Sequence, residues 1–233
     1  MPAMLTKRLK NLFWISLLLL LIGFQAWEEI KTYKAPAKAP QSTSKAVPKT
    51  PSPSKTAQTP SKSKRNTIGG FETLVGCRLH EDRNNDGDSF KVAHQGEIME
   101  LRLYFVDAPE KRLHQYNGER LDHQGRYFGN LTREKTIAIG QQAKAHTERL
   151  LTSRPFRVVT RWQPVFESGR HYAFIFFEDT GEELSESLVR EGLVRIYTEG
   201  TNLPDGRKKV DFEKHLKKLE LNAKKAKRGG WGL

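Results

Sequence analysis

Between Ile98 and Val106 the side chains alternate with a period of two. Met99, Leu101, Leu103 and Phe105 fall on one face, and Glu100, Arg102 and Tyr104 on the other. Successive side chains of an extended chain point to opposite faces, so this run predicts a strand with one face on a core. Residues 74–80, 89–94, 156–162 and 172–177 also predict strands, rich in β-branched and aromatic residues. His94-Gln95-Gly96 and Asp179-Thr180-Gly181 supply turn chemistry after two of them. Helical spacing covers residues 139–151, 185–193 and 210–227. The last of these turns Phe212, Leu216, Leu219 and Leu221 toward a core, stops at Gly229-Gly230, and leaves Trp231 to fold back.

Five strands, one helix between the third and fourth and two helices at the end predict an α+β, mainly β, class. The natural architecture is a five-stranded barrel of the oligonucleotide-binding (OB) type with three helices. The one cysteine, Cys77, excludes an intrachain disulfide and a cysteine-based zinc site, so an ordinary core must hold this domain, assigned to residues 67–233.

The net charge of +13 does not describe that domain. Residues 31–66 hold nine Lys or Arg and no acid, whereas residues 67–233 hold 28 basic against 25 acidic side chains. Overall basicity would suggest a nucleic-acid binder, but most of it belongs to a tail, and function has to be read from a site. Residues 28–66 predict a disordered linker: six of the eleven prolines sit there amid Ala, Ser, Thr and Lys, with too few apolar residues to offset ordering entropy. Before it, residues 1–27 place Lys7, Arg8 and Lys10 ahead of an apolar run from Leu12 to Trp27, with Glu28 and Glu29 behind. This order predicts a membrane-directed segment with its N-terminus in the cytoplasm. The run spans about 24 Å as a helix, enough for a thin bilayer. An uncleaved single-pass anchor is one expectation and a cleaved signal peptide the other; either puts the domain outside the cytoplasm.

Three short motifs carry the chemistry. Asp86-Gly87-Asp88-Ser89 sets two carboxylates around a glycine turn at the head of a strand, which suits a hard cation. The string mimics the start of an EF-hand loop, but Ala93 falls where its closing Glu is required and a strand pattern follows. Arg102 on the polar face of the 98–106 strand is followed by Asp107, Ala108, Pro109 and Glu110 just past its end. Gly169-Arg170 precedes the apolar strand Tyr172–Phe177 and can aim a guanidinium at a cleft.

In this order the motifs resemble the thermonuclease family, the staphylococcal-nuclease-like domains, over about residues 70–231. The likeness rests on the Asp-Gly-Asp turn, on Arg102-Leu103-x-x-x-Asp107-x-Pro109-Glu110 and on Gly169-Arg170 before Tyr172-Ala173. Residues 188–193 (Leu-Val-Arg-Glu-Gly-Leu) and the closing lysine-rich helix ending in Trp231 extend it. The resemblance implies a calcium-dependent nuclease acting on DNA or RNA as a monomer. In that reading Asp88 and Asp107 hold calcium together with the main-chain carbonyl of Ala108, and Asp86 supports them. Arg102 and Arg170 clamp the phosphate, and Glu110 activates or orients the attacking water. Such residue types make physical sense: positive charge is placed where phosphodiester hydrolysis builds negative charge, and a carboxylate positions water. The runner-up is a catalytically weak OB module that binds single-stranded nucleic acid or a protein partner.

Two departures stand out. Glu167-Ser168 replaces a basic-aromatic pair found in the best-known member before Gly-Arg, so terminal-phosphate recognition is not expected from it. Residues 111–135 form a longer segment with six basic and three acidic residues, Tyr127 and Phe128. This segment either packs on the barrel or faces substrate; in the second case Tyr127, Phe128 and, further on, Tyr197 would stack bases.

Overall fold

The computed structural model describes residues 67–233; the anchor or signal expected at 1–27 and the linker at 28–66 lie outside the described residues. Strands β1 (Thr67–Ile68), β2 (Phe71–Leu74), β3 (Arg78–His80), β4 (Ser89–His94), β5 (Glu97–Leu103) and β6 (Val106–Asp107) come first. Helices α1 (Gly118–Tyr127) and α2 (Arg133–Ser153) follow, then β7 (Phe156–Pro164), β8 (His171–Phe177), α3 (Leu184–Arg190), β9 (Arg195–Ile196), α4 (Lys209–Lys225) and a 3-10 turn at Gly229–Gly232. Among the described residues no helix is long and apolar enough to cross a membrane.

Seven strands form one sheet in the order β1-β2-β7-β8-β5-β4-β3, antiparallel throughout except for the parallel pair β5 and β8; β6 and β9 form a separate ribbon. The α+β, mainly sheet, class is therefore present, although no pairing among the described residues joins β1 to β3 and closes the sheet. Two of the five expected strands are broken. Residues 74–80 divide into β2 and β3 at Gly76, whose φ of +72° turns the chain. Residues 98–106 divide into β5 and β6 at Phe105, which adopts φ +68° while its ring is buried against Phe174 and Phe212. Period-two alternation runs straight through such a bend and does not reveal it.

The core lies between the sheet and the helices. Leu101, Leu103, Val158, Ile175 and Phe177 are fully buried, and Leu150, Leu151, Leu188, Phe212 and Leu216 cover them from α2, α3 and α4. The stripe of α4 departs from expectation at one place. Leu221 is exposed, and the buried residues are Phe212, Leu216, Glu220 and Ala223, a spacing closer to the 3.6-residue period. Glu220 is tolerated inside because Lys224 pairs with it at 2.9 Å and the Tyr127 hydroxyl donates to it. Trp231 folds back as expected, onto Phe128 at 4.8 Å between ring centres.

Glu183 opens α3 as its N-cap, accepting from Ser185 N at 2.8 Å and from the Ser185 hydroxyl, and among the described residues it makes no salt bridge. Burial pushes its carboxyl up to about 8, against the pull of the Ser185 hydrogen bonds. The fold thus favours the protonated form. Its contribution is complete below the ordinary carboxylate range and declines as pH rises toward 8. Thermal melts of the chain should lose stability between pH 5 and 8 relative to Glu183→Gln; parallel curves would show that Glu183 is not protonated in the fold.

Candidate active site

Strand β5 collects the three motifs by register. Arg102 pairs with Ser89 on β4 and with Tyr172 on β8, so the Asp-Gly-Asp-Ser turn and the Gly-Arg step arrive on either side of it. Ser89 joins the two arginines: its hydroxyl accepts from Arg102 Nη1 at 3.2 Å and Arg170 Nη1 at 3.3 Å, and donates to Asp88 at 2.9 Å. The Arg102 guanidinium then bridges carboxylates, donating to Asp88 at 3.2 Å and to Asp107 at 2.7 Å.

Helix α2 fixes both acidic loops with a face of small residues. Thr147 donates to the carbonyl of Gly87 at 2.7 Å, and Ala143 packs so close that a Cβ on Gly87 would lie 2.6 Å from its methyl. One turn earlier, Gly140 lies against the main chain of Pro109 and Glu110; a Cβ there would meet their carbonyl oxygens at 2.3 and 2.7 Å. The backbone would have to give way, so Gly140→Ala should cost about 1–3 kcal/mol. The cost falls on the loop that carries Glu110, so the melting temperature should drop. A wild-type melting temperature in that variant would show that the loop is not held by this contact.

Asp107 is the hub. Register on the β6–β9 ribbon sets it opposite Arg195, and both side chains are 2% exposed. Its Oδ1 accepts from Arg102 and from Arg120, each at 2.7 Å, and its Oδ2 from Arg195 Nε at 2.7 Å and Gln124 Nε2 at 3.1 Å. Burial alone would raise its carboxyl; the guanidiniums of Arg120, Arg195 and Arg102 reverse this and hold it below the usual range. Across the turn the balance is opposite. Burial, reinforced by the Asp88 charge, pushes Asp86 up to about 7, and burial raises Asp88 despite Arg102 beside it.

Arg120 and Gln124 come from α1, the helix inside the 111–135 segment, as does His123, whose Nδ1 accepts from Arg195 at 2.7 Å. Arg120 also donates from Nε to Glu110 at 2.8 Å. Gln124 is buried and ties the loop from both sides, donating to the Ala108 carbonyl at 3.1 Å and accepting from Glu110 N at 3.0 Å. Beside them opens a cleft of about 720 Å³, lined by Asp86, Asp88, Asp107, Glu110, the three arginines 102, 120 and 170, and Tyr197, with Gln124 and Arg195 buried behind its wall.

The cleft therefore brings together Arg102, Arg170, Glu110, Asp86, Asp88, Asp107 and Ala108, and places Tyr197 at its rim, its ring stacked 3.8 Å over the Arg195 guanidinium. It does not include Tyr127 or Phe128. Phe128 is 3% exposed beneath Trp231, and half-buried Tyr127 spends its hydroxyl on Glu220 and the Ile196 amide; both hold α1 to the body and neither lines the cleft. An aromatic not expected there, Phe166, stands 89% exposed on the cleft wall beside Arg170. Arg120, Gln124, Arg195 and Ser89 were the members least visible in the chain. The clue to the first two is the spacing of Leu121, Gln124, Gly125 and Phe128, an apolar stripe at helical period interrupted by one glutamine.

The staphylococcal nuclease homologue family model matches residues 100–232, from β5 to the last turn. The chain belongs to the staphylococcal nuclease homologue family. Nuclease homologues of this kind pair the site with a divalent cation, as the resemblance implied, and the donor set can be compared with that need. Asp86, Asp88, Asp107 and the Ala108 carbonyl are all oxygen donors at one cleft, a set whose chemistry fits a hard cation. The arrangement itself is closed: among the described residues no three His, Cys, Asp or Glu side chains form a metal-binding group. Asp107 and the Ala108 carbonyl already accept from arginine and glutamine donors.

Proposed function

We propose that this nuclease-family domain hydrolyses phosphodiester bonds of DNA or RNA with calcium as cofactor. The observation that supports it best is the convergence of Arg102, Arg170 and Arg120 with the carboxylate of Glu110 on one cleft. Arg102 and Arg170, tied through Ser89, lie where two forks can take the non-bridging oxygens of one phosphate. Glu110 accepts the proton of a water attacking phosphorus, or orients that water while solvent takes the proton; as the new P–O bond forms the ester P–O bond breaks, and the leaving oxygen takes a proton from solvent. Asp88, Asp107 and the Ala108 carbonyl would hold calcium, which supplies charge neutralisation at the phosphoryl oxygens. We further propose that residues 1–27 keep or release the domain outside the cytoplasm, where an export-dependent reporter fused after residue 66 should be active and a cytoplasm-dependent one silent.

The second reading, a binding module that does not cut, is favoured by one observation: every oxygen of Asp107 is engaged by protein donors. Incubating the full chain with end-labelled DNA and RNA separates the two. Cleavage with calcium that stops on adding chelator supports the nuclease; retention of uncut single strands under both conditions supports the binding module.

A further inference from the structure

We propose that Arg120 is a displaceable cap on the cation site, supplied by helix α1 and setting how tightly the site takes calcium. This rests on the calcium reading above. A carboxylate offers about four lone-pair sites. Asp107 has four donors: Arg102 and Arg120 on Oδ1, Arg195 and Gln124 on Oδ2. A cation that uses Asp107 therefore has to expel one of them.

Three of the four are fixed. Arg195 is 2% exposed and lies directly across the ribbon from Asp107. Gln124 is fully buried and holds Ala108 and Glu110 as well. Arg102 is 11% exposed, in the middle of the sheet, and bridges to Asp88. Arg120 is 46% exposed, on the cleft wall, and reaches in from a helix. Its exit leaves Asp107 with two guanidiniums and opens Oδ1 to the cleft. The same exit releases Glu110, since Nε of Arg120 holds that carboxylate. Arg120 and the cation are thus competitors for one oxygen, and removing the competitor tightens the binding of the other.

Isothermal titration of the full chain with calcium chloride alone tests this, with no substrate and no turnover in the readout. Arg120→Ala should bind calcium about threefold to tenfold more tightly than wild type, the scale of a half-exposed ion pair. Arg120→Lys, which keeps the charge but loses the fork, should fall between. Arg126→Ala removes one positive charge from the exposed side of the same helix and should leave the affinity unchanged. Equal affinities in wild type and Arg120→Ala, or an equal gain in Arg126→Ala, would overturn the cap while leaving the calcium reading standing. Absence of calcium binding in all four proteins would remove the calcium reading and the cap with it. Melting curves of each variant confirm that the same fold is titrated.

Discussion

Asp107→Ala should be the most destabilising substitution in the cleft, costing about 3–5 kcal/mol, because it leaves the buried Arg195 guanidinium without its carboxylate. On a domain of this size that is a fall of about 10 °C in melting temperature. A residue that the resemblance makes a calcium ligand is also the centre of an ion-pair network reaching β5, α1 and β9. The double variant Asp107→Ala with Arg195→Met should recover much of the loss, because the uncompensated charge is gone and a methionine of similar reach fills its place. An Asp107→Ala protein that melts with wild type would show that solvent reaches Arg195 and that the network is not closed.

Glu110→Gln should do the reverse: leave the melting temperature in place and lower turnover by about 10²-fold or more. The Glu110 side chain is a quarter exposed and its donors, Arg120 Nε and Asn117 Nδ2, can also donate to an amide oxygen, so nothing in the core depends on its charge. Its value is in taking or orienting the water proton, which an amide cannot do. Combined with Arg170→Ala, which removes a phosphate fork, the loss should be well short of the product of the two, since both groups act on one transition state. Turnover within threefold of wild type in Glu110→Gln would move the reading to the binding module.

The expectations that held were those carried by contiguous spacing. β4 was bounded to the residue, β7 and β8 within two, and the Asp-Gly-Asp turn, Arg102, Glu110 and Arg170 all face the same cleft. What spacing does not carry is partnership. Arg195 sits in a short run, Val194 to Ile196, that looks like any strand with one polar position; only the register opposite Asp107 gives it meaning. Residues 111–135 can pack on the body or meet substrate, and the structure divides them: Tyr127 and Phe128 pack, Arg120 lines the cleft, and Gln124 is buried behind its wall, holding Asp107 and Ala108. The aromatics are the more conspicuous residues, but composition is blind to which side of a helix a ring occupies. The bend at Phe105 escaped for the same reason that it works. An apolar residue in the right alternation fills the core with its ring while its backbone turns Asp107 toward the arginines.

The partnerships that complete the cleft also set when it can exist. Ser89 meets Arg170 across 81 residues of chain, and Asp107 meets Arg195 across 88. The parallel pairing of β5 with β8 cannot be made by a hairpin; it waits for α1, α2 and β7 to be laid down first. Contacts of such sequence separation form late and slowly, and a chain emerging from its N-terminus displays the two acidic loops well before any of β9 is made. Through that interval Asp107 is an ordinary solvated carboxylate with neither its cross-strand guanidinium nor its burial. A chain ended between Glu110 and Arg195 would carry Asp86, Asp88, Asp107 and Glu110 and still lack the charge that lets Asp107 go inside.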